Sequence, residues 1–327
     1  MLLTYGLLGT ALTKNAKVAF NKGVKLAPQA GRMMFDVRSV TDKISESDSW
    51  SFDPIARATG EGSNYASDDP VKGYNLILTQ AKFTQSFEMT KESGMYDKYN
   101  VTTALRGVQG LGTACGKRFE MDAQLLVGQG SGASYTDMDG QTISTLSADS
   151  VNVFSASHTT RSGTGYGNLG SSVFGQTGLE ADEVLWRSFV NHDGEQVDKI
   201  STHIYTTRKS GVTNLVDEYR NARGHVEDDA LGINVFNTNF NRAAGPRYGH
   251  IVMEYLDASS TGGIDTAKDD YWGTVQAGAA EMEAKISQNP MVYPIQLVQR
   301  NRNVLVQTDM HYAYGIKDAF CITQHNA

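Results

Sequence analysis

Residues 74–90 read YNLILTQAKFTQSFEMT, and residues 101–132 read VTTALRGVQGLGTACGKRFEMDAQLLVGQGSG. The two stretches obey different periods. In the first, Phe83, Phe87 and Met89 share one parity while Thr84, Ser86 and Glu88 share the other. That alternation predicts a strand with one buried face. In the second, Val101, Leu105, Val108, Leu111 or Gly112, Cys115, Phe119, Ala123 and Leu126 recur every three to four residues. This predicts a helix within residues 91–127, about seven turns long. Gly107, Gly110, Gly112 and Gly116 lie inside it. Each costs roughly 1 kcal/mol relative to alanine, so the helix must recover that loss in tertiary packing, and small residues let another backbone come close. Gly128-Gln129-Gly130-Ser131-Gly132 then ends it, with glycine where a helix C-terminus favours one.

Working outward, Gly60-Glu61-Gly62 and Asp68-Asp69-Pro70 mark bends between a run near Trp50 and the alternating strand. Residues 36–90 thus read as a long two-stranded hairpin with an acidic tip. Such a hairpin forms little core by itself and must lie on another part of the chain or on another subunit. Before it, residues 1–32 hold Lys14, Lys17, Lys22, Lys25 and Arg32 and no acid. This basic arm is expected to be mostly extended with a short helix. It lacks the charged start and unbroken apolar stretch of a secretion signal, so an intracellular origin is expected. After the helix, residues 133–178 are rich in Gly, Ser and Thr and read as irregular, with short strands such as 151–154. Helices are expected at 179–192 and 212–220, and strands at 200–206, 233–240, 248–256, 293–307 and 313–323.

Composition narrows the class. The chain has 327 residues, 40% hydrophobic and 20% charged, with 3 Trp, 15 Tyr and 12 Phe, enough to build a core and to exclude a disordered chain. Two cysteines, Cys115 and Cys321, exclude a disulfide scaffold. No apolar run reaches the ~18 residues of a membrane span. The net charge of −7 argues against a general nucleic-acid binder. The arm alone carries +5, however, and the stretch from Asp42 to Asp69 reverses the sign, with seven acids against Lys43 and Arg57. The 33 glycines against only 6 prolines point to many loops and close backbone approaches.

A search for chemistry returns nothing convergent. Gly165, Gly167 and Gly170 match GxGxxG, but no buried strand leads in and no helix starts on them. Gly112 to Lys117 resembles a phosphate loop, yet it is one residue short, has Arg118 where Ser or Thr belongs, and sits inside a helix. Asp137-Met138-Asp139-Gly140 lacks both end ligands of a calcium loop, with Tyr135 and Leu146 there, and reads as a tight turn. His158, His192, His203 and His250 are scattered, and a lone histidine such as His158 reads as structural. Cys115 lies on the apolar helix face, where a buried inert thiol is the default. The pairs Asp68/Asp69, Asp228/Asp229 and Asp269/Asp270 read as solvated turns. No catalytic residue, cofactor or metal is expected, and the weight moves from enzyme to structural or binding protein.

The order of basic arm, long hairpin, long glycine-bearing helix, mixed second region and returning strands resembles the major capsid protein of tailed double-stranded DNA phages, the Hong Kong 97-type fold. Met89-Thr90-Lys91-Glu92 looks like the end of that family's extended loop before its spine helix. Phe154-Ser155-Ala156-Ser157-His158, preceded by Asp139-Gly140 and followed by Gly163 and Asn168-Leu169, is similar to head proteins of Mu-like phages. Asn191-His192-Asp193-Gly194 and Gly315-Ile316-Lys317-Asp318-Ala319 also fit. The strand Thr202-His203-Ile204-Tyr205-Thr206 is less apolar than the family's usual strand there.

The resemblance implies an α+β chain. Its parts are an N-terminal arm (1–35), an extended loop (36–90), a peripheral domain with the spine helix (91–169), an axial domain (170–290) and a return to the peripheral domain (291–327). It implies self-assembly into pentamers and hexamers of an icosahedral shell, with non-specific contact to packaged DNA. Scaffold, portal and decoration proteins would be further partners, and the location the virion, assembled in the host cytoplasm. Arg57, Glu61, Asp68 and Asp69 become candidate inter-subunit contacts. Lys14, Lys17, Lys22, Lys25 and Arg32 become the basic arm. An encapsulin-like nanocompartment shell shares these features, and a hydrolase with unrecognised catalytic residues is the reading from another class.

Overall fold

The computed structural model describes residues 5–51, 69–90, 100–197, 199–221, 241–242, 245–246, 248–259, 263–294, 296–298 and 303–326. The chain begins with helix α1 (Tyr5–Leu26) and short helix α2 (Ala30–Met34). Strands β1 (Phe35–Ser39), β2 (Ile44–Ser51), β3 (Val71–Thr79) and β4 (Ala81–Met89) follow, then helix α3 (Asn100–Gly128). The middle of the chain holds the short strands β5 (Ser134–Thr136), β6 (Thr142–Ser144), β7 (His158–Thr159), β8 (Gly165–Tyr166) and β9 (Leu169–Gly170), then helix α4 (Gln176–Arg187). Strand β10 (His203–Thr207), helix α5 (Ser210–Asn221) and strands β11 (Asn241–Arg242), β12 (Gly245–Pro246), β13 (Gly249–Met253) and β14 (Trp272–Val275) come next. Strands β15 (Ala279–Val292), β16 (Gln296–Val298), β17 (Asn303–Ile316) and β18 (Gln324–His325) finish it.

The glycine-bearing helix is present as α3, 29 residues long, and its apolar stripe is buried from Val108 through Leu111, Cys115, Phe119, Ala123 and Leu126. A central sheet packs on it. β15 pairs antiparallel with β17, β1 pairs parallel with β15, and β4 and β16 pair antiparallel with β17. Alternation along the strands divides this sheet into two faces. Tyr312 and Tyr314 of β17 turn toward Phe119 of α3, with ring centroids 4.9 Å away in both cases. Phe83 of β4 stacks on Tyr312 at 4.6 Å. Gly315, of opposite parity, meets Leu76 and Leu78 of β3 instead. The β2–β3 hairpin therefore covers the sheet face opposite the helices, and the layers run helices (α1 beside α3), sheet, hairpin.

A second sheet has the order β13-β10-β14-β18-β9 and mixes parallel and antiparallel pairs. Its core gathers Phe174, Leu179, Ile204, Val212, Val216, Tyr248 and Trp272. After β9 the chain crosses between the sheets twice more, from β14 to β15 and from β17 to β18. Val275, Cys321 and Ile322 at those crossings join the main core.

Several expectations need correction. The arm is not mostly extended: 22 of its residues form α1. Its apolar and small residues Ala16, Phe20, Gly23 and Ala27 are buried at helical spacing against α3. The run 74–90 is two strands rather than one. It breaks at Gln80, whose N–H bonds the Lys43 carbonyl, so that β3 pairs with β2 while β4 joins the central sheet. Residues 151–154 form an isolated bridge rather than a strand, with Val153 and Phe154 buried. The expected 293–307 and 313–323 strands resolve into β16, one long β17 and a turn. The expected strand 233–240 lies outside the described residues.

Candidate assembly surfaces

The α1–α3 contact explains two of the four helix glycines. A Cβ at Gly112 would fall on the Phe20 carbonyl oxygen, and one at Gly116 would stand 2.6 Å from the Ala27 Cβ. The Thr113 hydroxyl donates to the Gly23 carbonyl at 3.2 Å. Gly107 faces the Phe87 ring, while Gly110 opens on empty space. With one face of α1 consumed in this way, its other face presents Lys17, Lys22 and Lys25, all exposed, with Val18 (69% exposed) between them. Lys14 falls within the same helix.

Arg32 does not join this stripe. It sits half-buried in α2 with its guanidinium 4.8 Å over the Phe119 ring and its Nε 3.6 Å from Glu120 Oε1. Glu120, on α3, is 1% exposed, and its Oε2 accepts the Gly31 N–H at 2.6 Å. Burial pushes its carboxyl up to about 7, against the opposing pull of the Gly31 N–H and the Arg32 charge.

The hairpin is seated differently. Leu76 and Leu78 supply the apolar part over Gly315. The rest is polar. Ser47 donates to Glu283 Oε2 at 2.7 Å, and Glu283 also holds Lys285 at 3.1 Å and Lys317 at 3.5 Å. Glu283 is 1% exposed. Burial pushes this carboxyl up, but the bonds from Ser47 and Lys285 and the two lysine charges outweigh it and hold it below its ordinary value. Ser49 donates to Asp318, which also holds His192 Nε2 at 3.0 Å.

The hairpin's outer face carries Ile44, Trp50 and Ile77, each more than half exposed. They lie among Glu46, Lys72 and Asn75. Asp69 is exposed at the start of the return strand. Arg57, Glu61 and Asp68 lie outside the described residues.

The motif residues take structural places. His158 is fully buried, bonded through Nδ1 to Asp149 at 2.7 Å and stacked on Tyr166. Asp137 caps the β5–β6 turn by accepting the Asp139 and Gln141 N–H groups, with Gly140 at φ 77°. Arg118 forks onto Asp122, Asp137 and Asp139. Gly112 to Lys117 lies inside α3, and Gly165 and Gly170 belong to β8 and β9. Asp318 stands between Ser49 and His192, so the imidazole bonds the carboxylate and not the hydroxyl, unlike a serine nucleophile with its histidine base. Among the described residues no group of three or more His, Cys, Asp or Glu is placed to hold a metal ion, and no helix is long and apolar enough to cross a membrane. Sequence reasoning missed Glu120, Glu283 and Lys285. Each stands in an otherwise ordinary helix or strand, and only the layer above it shows why a charge is there.

No protein-family profile matches the chain, and no curated protein does. Solved structures do. The virus-like particle from Pyrococcus furiosus superposes with a TM-score of 0.50 at 10% identity, over 96% of this chain and 98% of that one. The mature capsid of bacteriophage PhiM1 superposes with a TM-score of 0.53 at 10% identity, over 90% of this chain and 86% of that one. At such identity the likeness is one of fold, and it spans nearly the whole of each chain. The layered α+β architecture is thus the Hong Kong 97-type fold of shell proteins.

Proposed function

We propose that the chain is a phage major capsid protein, a structural subunit that assembles as pentamers and hexamers into an icosahedral head around double-stranded DNA. The observation that carries this reading is the fold likeness to a mature phage capsid over 90% of this chain. The layer order supports it. The lysine-bearing helix α1 and the hairpin stand on opposite sides of the central sheet, as a closed shell with unlike inner and outer surfaces requires. The lysines then face the lumen. The lysines of every copy's arm, Lys14, Lys17, Lys22 and Lys25, give diffuse contact with phosphates and read no sequence. The hairpin's apolar and charged outer residues, with the Arg57, Glu61, Asp68 and Asp69 tip, then answer a neighbouring subunit. Scaffold, portal and decoration proteins are the further partners of such a shell. The product is a virion built in the host cytoplasm, and the role needs no catalytic residue.

Expression of the full chain followed by gel filtration and negative-stain microscopy tests this. Closed particles are expected. A stable monomer or dimer that forms no shell under any condition, added scaffold included, overturns it. The coverage of the Pyrococcus particle favours a nanocompartment as the second reading. Nucleic acid inside purified particles decides between the two.

A further inference from the structure

Among the described residues, Glu120 is the point where the arm segment meets α3 through a buried acid. Gly31 presses directly on it: a Cβ there would stand 2.9 Å from Glu120 Oε2 and 2.7 Å from the Ala123 Cβ. The two carboxyl oxygens are unequal. Oε2 holds the Gly31 N–H, whereas Oε1 is buried without a hydrogen-bond partner, since Arg32 Nε at 3.6 Å lies beyond bonding distance. Arg32 is itself about one-third exposed, so water screens part of its charge.

The other groups facing this carboxyl do not neutralise it. Gln124 of the same helix has its Oε1 taken by the Tyr255 N–H and its Nε2 buried without a hydrogen-bond partner. Burial first, and the Glu120 charge as a smaller cause, push the phenols of Tyr255, beyond β13, and Tyr314, of β17, above their ordinary value, and neither offers the carboxylate a cation. A neutral carboxyl fits this setting better than a charged one.

We propose that Glu120 is a proton-operated latch on the N-terminal arm: the neutral carboxyl holds α2 and the helix before it against α3, and ionisation loosens them. The sign follows from linkage. A carboxyl whose docked value is raised binds its proton preferentially in the docked state. Its contribution is complete below the ordinary value of 4.5 and is lost as pH rises through about 7. Between pH 6 and pH 8 the equilibrium for arm opening then increases about tenfold. The inference concerns the subunit alone and stands whether or not the chain forms a phage head.

The test is trypsin cleavage of the full chain at Lys22 and Lys25, on a gel-filtered fraction of one assembly state, from pH 6 to pH 8. Rates are divided by those of Glu120→Gln at the same pH, which cancels the protease's own profile. The ratio should rise about tenfold across that range. A flat or falling ratio overturns the latch. Arg32→Met keeps the carboxyl but removes its cation, so the rise should move to higher pH. That variant, read against wild type, carries the test if Glu120→Gln does not fold. A step that stays in place in Arg32→Met removes Glu120 as its origin.

Discussion

The arm and the hairpin both lie on the body of the subunit, but they are held by opposite means. α1 meets α3 through glycines, alanines and one phenylalanine, with backbone against backbone. The hairpin meets the central sheet through two leucines and a set of serines, lysines and carboxylates. A backbone-to-backbone seam has no slack and tolerates no added atom. A polar seam tolerates atoms, and depends on every charge keeping its partner. One subunit thus carries two appendages, one fixed by shape and one by charge.

The largest effect should come from breaking the polar seam. Glu283→Ala leaves Lys285 buried beside Lys317 and should cost about 3–5 kcal/mol in urea unfolding. Hydrogen exchange in β2 and β3 should rise while α1 stays protected. The double variant Glu283→Leu/Lys285→Met should recover most of the loss. If Glu283→Ala costs nothing, the seat of the hairpin is not electrostatic.

Next comes the shape seam. Gly112→Val drives a side chain into the Phe20 carbonyl and should cost about 1–3 kcal/mol, with exchange rising in α1 and not in the hairpin. Gly110 faces open space, so Gly110→Ala should instead stabilise by up to about 1 kcal/mol. Equal effects at the two positions would remove the distinction between a packed and a free glycine.

Acidity should separate the regions by sign. Glu283 has a lowered carboxyl, so its contribution is full above the ordinary 4.5 and fades as pH falls through its folded value. Glu120 has a raised one, so the arm loosens as pH rises. Exchange mapped at pH 4 and pH 8 should therefore expose the hairpin at the first and the arm at the second. The same region opening at both ends would contradict that assignment. The smallest effect on stability belongs to the lysine face. Lys17→Gln, Lys22→Gln and Lys25→Gln together should change unfolding by no more than about 0.5 kcal/mol per site. They should reduce the salt slope of DNA binding by filter retention. An unchanged slope would take the lysines out of DNA contact.

Much of this was legible in residue spacing. The spine helix followed from its apolar period, and its four glycines announced a close partner without naming α1. The break at Gln80 was also written there: the apolar parity passes from even at Leu76 and Leu78 to odd at Phe83, Phe87 and Met89. The arm was misread because alanine, glycine and one phenylalanine make a weak stripe, and only contact with α3 makes that stripe a core. β15 went unread for a related reason. Met282, Ala284 and Ile286 alternate with Glu281, Glu283 and Lys285, and a charged second face reads as solvent until the hairpin covers it. Arg32 was counted with the lysines because charge alone does not say which cation has a buried acid beside it.

The most direct test of the central claim is a cryo-electron microscopy map of assembled particles at a resolution that shows helices as rods. The account expects closed shells in which α1 lines the lumen and the hairpin lies on the outer side across a neighbouring subunit. Particles with α1 on the outside, or a full-length chain that never closes a shell, would contradict it.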